Sequence, residues 1–127
     1  MRSASIAIAL GTTLGLATPC AFSTGFGRVA TSTLLGQPLA FGALVLLEGD
    51  ETLRRECVSA EVDAGERRLP SGLVRVSVES GPRANERWVR VTTSVPIDEP
   101  VVAVQVTLAC GVSVSRRFVS FIDPPEI

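Results

Sequence analysis

The chain contains no histidine, no lysine and no tyrosine, and all twelve of its basic residues are arginine. Without imidazole there is no Ser-His-Asp or Cys-His arrangement and no histidine metal ligand. Without lysine there is no Schiff base, no Ser-Lys dyad and no phosphate-loop lysine. Aromatic residues are scarce, with five Phe and one Trp, which leaves little ring surface on which a sugar could stack. Charge of one sign is lacking too: 12 basic residues stand against 13 acidic ones, so nothing electrostatic points to nucleic acid or an anionic membrane. Of the common catalytic chemistries only that of carboxylates remains, with Asp98–Glu99 or Glu48 and Asp50 as candidates. A glycosidase needs two carboxyls facing each other across a cleft, and neighbouring turn residues do not provide that. The expectation is a protein that is not an enzyme and carries no cofactor or metal.

What is present begins with an export pattern. Met1–Arg2 is followed by a charge-free apolar run, Ser5 to Ala17, of signal-peptide length and too short for a membrane span of roughly 20 residues. Ala21–Phe22–Ser23 offers a small-x-small cleavage pattern, so residues 1–23 read as a signal peptide and 24–127 as one mature domain. Cys20 invites a lipoprotein reading, but Thr18 and Pro19 make a poor lipidation box; an uncleaved signal would leave an anchor. Export would put the chain in the periplasm, an oxidising compartment, with Cys57 and Cys110 as its two remaining cysteines. A bridge between them closes a loop of about 54 residues and contributes roughly 4 kcal/mol on the chain-entropy view. A redox role is disfavoured, since neither cysteine lies in a C-x-x-C motif.

Periodicity of two dominates the rest. Val102, Val104, Val106 and Leu108 share one parity, which continues to Cys110. Val58, Ala60 and Val62 form another inward row, with Cys57 in the turn before it. Val74, Val76 and Val78 alternate with polar residues, as do Val89, Val91 and Val95, and these two runs predict a hairpin. Leu39 to Leu47 is apolar on both parities, as in a strand covered on both faces or a buried helix; Pro38, Phe41 and Gly42 favour the strand. Gly25 to Ser32 reads as an opening strand. Asp50 to Glu56 is expected to form a helical turn, acids first and arginines last. Its acidic spacing does not match an EF-hand. In the last strand Val112 and Val114 share one parity, Val119 and Phe121 the other, which predicts a bulge near Arg116–Arg117. About seven short strands with hardly any helix describe an all-β, immunoglobulin-like sandwich of antiparallel strands.

Several phrases together resemble one family. They are Leu34–Leu35–Gly36–Gln37–Pro38–Leu39, the run Leu53 to Glu61, the run Trp88 to Pro100, and Asp123–Pro124–Pro125 after Arg116 to Ile122. In order and spacing they resemble the N-terminal periplasmic domain of the FimV family, proteins linked to type IV pilus assembly and cell-pole organisation. The resemblance implies an exported copy of that domain and transfers no catalytic residue. The family's peptidoglycan-binding LysM module, membrane helix and acidic cytoplasmic part have no counterpart in this sequence, so peptidoglycan binding and membrane spanning are not carried over.

The functional expectation is therefore a non-enzymatic exported domain that binds another cell-envelope protein, with Trp88, Arg87 and Arg90 as candidate contacts. A solvated sheet face, with Trp88 flanked by the stems of arginines or packed under a neighbouring loop, is the plainer account of the same residues. The alternative function is a small-ligand or carbohydrate-binding module, which the scarcity of aromatics disfavours.

Overall fold

The computed structural model of the protein describes residues 25–111 and 113–125. The expected signal peptide lies outside them, as does Val112. Eight strands follow one another: β1 Gly25–Thr31, β2 Pro38–Leu46, β3 Val58–Ala64, β4 Arg67–Arg68, β5 Val74–Ser80, β6 Glu86–Pro96, β7 Val101–Leu108 and β8 Val114–Phe121. They form two four-stranded sheets, β1-β2-β6-β5 (sheet 1) and β4-β3-β7-β8 (sheet 2), with every ladder antiparallel. This is the immunoglobulin-like arrangement, with β1, β2, β6 and β5 as A-B-E-D against β3, β7 and β8 as C-F-G, and the short β4 beside C.

The alternation seen in the sequence explains why the sheets stack. Phe41, Ala43 and Val45 of β2 and Val89 and Val91 of β6 point inward from sheet 1. Val58, Val62, Val102, Val104, Val106 and Leu108 meet them from sheet 2, and most of these side chains are wholly buried. Each contributes about 2 kcal/mol by leaving water. The hairpin predicted from Val74 to Val95 is β5–β6, paired from Val74↔Thr93 to Ser80↔Arg87.

Pairing of β2 with β6 is irregular between Pro38 and Ala40, where proline has no N–H to donate. Two threonines supply the missing partners. The buried Thr93 Oγ1 accepts from the Leu39 N–H at 2.9 Å and donates to the Val95 carbonyl at 2.8 Å. Thr33 Oγ1 accepts from the Ala40 N–H at 2.7 Å. Gly36, at φ 92°, turns the chain so that its N–H reaches the Ile97 carbonyl, while the Ile97 N–H reaches Gln37. The turn Gly36–Leu39 and the segment before Pro100 thus touch in space.

Cys57 and Cys110 are joined by a disulfide, with Cα atoms 5.1 Å apart, well within the usual range. Cys57 closes a 3₁₀ turn, Arg55–Cys57, so β3 starts after it as expected. The bridge joins neighbouring strands of one sheet, beside the bond from the Ala109 N–H to the Cys57 carbonyl, and not the two sheets as in antibody domains.

Three expectations need correction. Cys110 does not lie on the apolar face of β7; the strand ends at Leu108, the chain bends at Cys110–Gly111, and the cysteine is exposed. The helical turn is shorter and later than Asp50 to Glu56, because the acids upstream close a turn of their own through Glu48 and Glu51. The bulge near Arg116–Arg117 does not exist. Register with β7 is unbroken from Val101↔Phe121 to Leu108↔Val114. A constant parity buries Phe118 and leaves Val119 and Phe121 on the outer face.

Candidate functional site

On the outer face of sheet 1, β6 contributes Trp88, Arg90 and Thr92, the parity opposite to Val89 and Val91. Trp88 is half-buried, flanked by two arginines. The Arg90 guanidinium carbon lies over its ring, 5.0 Å from the centroid, and that of Arg28, reaching across from β1, lies 5.6 Å away. Such stacks contribute about 0.5–1 kcal/mol each at exposed sites. Arg90 is further held by Glu79 of β5 at 3.2 Å. The floor of the cluster is Gly42, opposite Arg90 in the ladder. A Cβ there would sit 3.3 Å from Trp88 Cε3 and 2.9 Å from Arg90 Nη1, so a side chain at 42 would make the Arg90 tip move aside and press on the indole. Leu44, directly opposite Trp88, is 2% exposed although it faces away from the core. Sheet 1 therefore has a small second layer of its own.

Arg87 does not join this cluster. It pairs with Val45, so its side chain leaves the strand on the inward parity. At the end of β6 it donates through Nη1 to the carbonyls of Ala84 and Glu86, at 2.8 and 2.7 Å, and ties down the hairpin loop. Arg28, which sequence reading passed over, takes its place beside Trp88. Only the pairing of β1 with β2 brings it there, some sixty residues away along the chain.

The outer face of sheet 2 is organised differently. Asp63 accepts from Arg68 Nε at 2.8 Å and from Arg117 Nη1 at 3.2 Å, and Arg68 also pairs with Glu61 at 3.2 Å. Hydrogen bonding from Arg68, with a smaller contribution from Arg117, holds the Asp63 carboxyl below its ordinary value despite an opposing push from burial. Beyond this network lies an apolar corner. Val101, Val119 and Phe121 share the face and are 37%, 55% and 75% exposed. Sequence reading missed this corner. The signal was the split parity of the last strand, which was interpreted as a bulge.

The acidic pairs considered for catalysis are far apart. Asp98–Glu99 adjoins the start of β2 and Glu48–Asp50 follows its end. Nine extended residues separate them, roughly 30 Å. Glu99 instead lies over the Gly65 turn, beside a shallow groove of about 460 Å³ lined by Gly65, Glu66, Arg67, Glu99 and Pro100. Among the described residues no three metal-ligating side chains converge, and no helix is long and apolar enough to cross a membrane. Comparison with family models, curated proteins and solved structures returns no match to this chain.

Proposed function

We propose that this protein is a non-enzymatic binding domain of the periplasm that engages another cell-envelope protein through the outer face of sheet 1. The observation that carries this reading is the Arg28–Trp88–Arg90 cluster, seated beside Gly42 and held by Glu79. Trp and Arg are the side chains most often found at the energetic centre of protein interfaces. Held in place before binding, they lose little entropy when a partner arrives. The partner this face fits carries carboxylates, since Arg28 and Arg75 bring positive charge to the face and neither has a carboxylate within 4 Å among the described residues. A sugar-binding role fits less well, because the indole is already overlaid by guanidinium groups.

Export and a setting in pilus or envelope assembly rest on the N-terminal pattern and on the family resemblance. The disulfide agrees with an oxidising compartment. The test is periplasmic crosslinking followed by partner identification, with Trp88→Ala alongside. An envelope protein captured by the wild type and lost in the variant supports the reading. Retention on peptidoglycan or glycan supports the sugar-binding alternative instead. Capture of nothing, or capture indifferent to Trp88, overturns the proposal.

A further inference from the structure

Trp88, Arg90 and Arg28 crowd one end of the outer face of sheet 1, and the other end is low. Ladder partners set Ala40, Thr92 and Arg75 in one row across β2, β6 and β5. The next row is Ala30, Gly42, Arg90 and Ser77, and the one after it holds Leu44, Trp88 and Glu79. Arg90 lies over Gly42 and the indole, while Ala40 stays exposed and Thr92 half-exposed. Two shallow cavities meet at Thr92. One, of about 320 Å³, lies between Gly72–Arg75 and Thr92–Ser94; the other, of about 140 Å³, continues past Ala40 to Ala30 and Ser32 on β1. Together they form a trough across all four strands, walled on one side by Arg90. With neighbouring strands about 4.8 Å apart it is roughly 14 Å long, the span of four extended residues.

Arg75 closes the β5 end of this trough. Among the described residues it has no carboxylate within 4 Å. The acids of the face, Glu79 and Glu86, stand two and three rows away, and Glu79 is taken by Arg90. The hydroxyls of Ser32, Thr92 and Ser94 line the trough and make no hydrogen bond among the described residues. Each can both donate and accept.

We propose that the trough seats a short, extended, acidic segment of the partner, with a carboxylate paired to Arg75. The inference rests on the reading of sheet 1 as the binding face and adds where the acid goes. A guanidinium receives a carboxylate through two parallel N–H···O bonds, and Arg75 has its donors free for them. Small side chains of the segment lie over Ala30 and Ala40, and its peptide groups bond to the three hydroxyls. The backbone groups of β2 and β6 are used by the strands on either side, so the segment crosses the sheet and does not pair with it. Phe41 turns its ring into the core, so the floor offers a sugar nothing on which to stack.

The probes are the blocked peptide acetyl-Ala-Ala-Ala-Glu-amide and its Gln counterpart. Each is titrated to about 10 mM, a range suited to the weak binding of so small a ligand, with backbone amide NMR shifts as the readout. The acidic peptide is expected to shift Ala30, Ala40, Arg75 and Thr92 and to leave sheet 2 unmoved. Replacing its Glu by Gln, or Arg75→Gln in the protein, should each weaken binding about tenfold, and the two together should weaken it no further. Ala40→Phe, which fills the trough, should abolish binding, and the spectrum of each variant reports its fold. Equal binding of the two peptides, indifference to Arg75→Gln, binding that persists in Ala40→Phe, or sodium acetate matching the peptide in site and affinity would each overturn the proposal. Trp88-dependent capture of an envelope protein beside a failed titration would strike the trough alone. A successful titration without such capture would strike the wider reading alone.

Discussion

Each sheet turns an aromatic residue away from the core, and the two are treated in opposite ways. Trp88 on sheet 1 is overlaid by Arg28 and Arg90, floored by Gly42 and half-buried. Phe121 on sheet 2 touches no such cover and is 75% exposed. Position within the sheet explains the contrast. Trp88 lies on an interior strand, so neighbours on both sides can lean over it. Phe121 lies near the end of an edge strand, with β7 on one side and solvent on the other. Sheet 2 invests instead in its middle and its far end, through the Asp63 ion pairs and the disulfide. A covered aromatic stabilises the fold, whereas an uncovered one contributes little to it.

Four changes would break or sharpen this comparison. The largest effect should come from replacing both cysteines with alanine, which frees a loop of 54 residues and costs about 4 kcal/mol. Thermal and denaturant unfolding would measure it, and a loss below about 1 kcal/mol would mean that sheet 2 holds together without its bridge. Next, Trp88→Ala should cost about 2 kcal/mol, roughly half of what a core aromatic is worth, because the ring is only half-buried and two cation stacks go with it. Phe121→Ser, by contrast, should change unfolding free energy by less than about 0.5 kcal/mol. Equal costs for the two aromatics would erase the distinction between the faces.

The smallest effect concerns Asp63 and appears only with acid. Its carboxyl titrates below the ordinary value of 3.8 in the folded state. The unfolded chain therefore binds the proton first, and the stability this group supplies is present above that ordinary value. It is lost as pH falls through the lower, folded-state value. Unfolding of Asp63→Asn should accordingly be less sensitive to acid than that of the wild type below pH 3.8, and a pH series of melting temperatures would show it. An unchanged acid limb would remove Asp63 from the account of sheet 2.

Much of this architecture was legible in the sequence because period-two alternation survives wherever one face of a strand is buried. The β5–β6 hairpin, the inward rows of β3 and β7, the strand at Leu39–Leu47 and the pairing of the cysteines all follow from parity, turn residues and cysteine count. The candidate sites were harder to read. Trp88 and Arg90 share a face in any strand, so their association was visible, but Arg87 lies on the other parity and Arg28 is reached only through β1. The apolar corner was misread because a change of parity has two causes, a bulge or an exposed apolar pair, and one strand taken alone cannot distinguish them.

By itself, then, the sequence determined a disulfide-linked antiparallel sandwich, and it excluded the catalytic chemistries that require histidine or lysine. Those properties depend on composition and on neighbours two residues apart. Tertiary structure decided which strands became edges, which cations covered the lone tryptophan and which apolar residues faced water. These depend on the order of strands within each sheet, where partners far apart in the chain set what each face can reach.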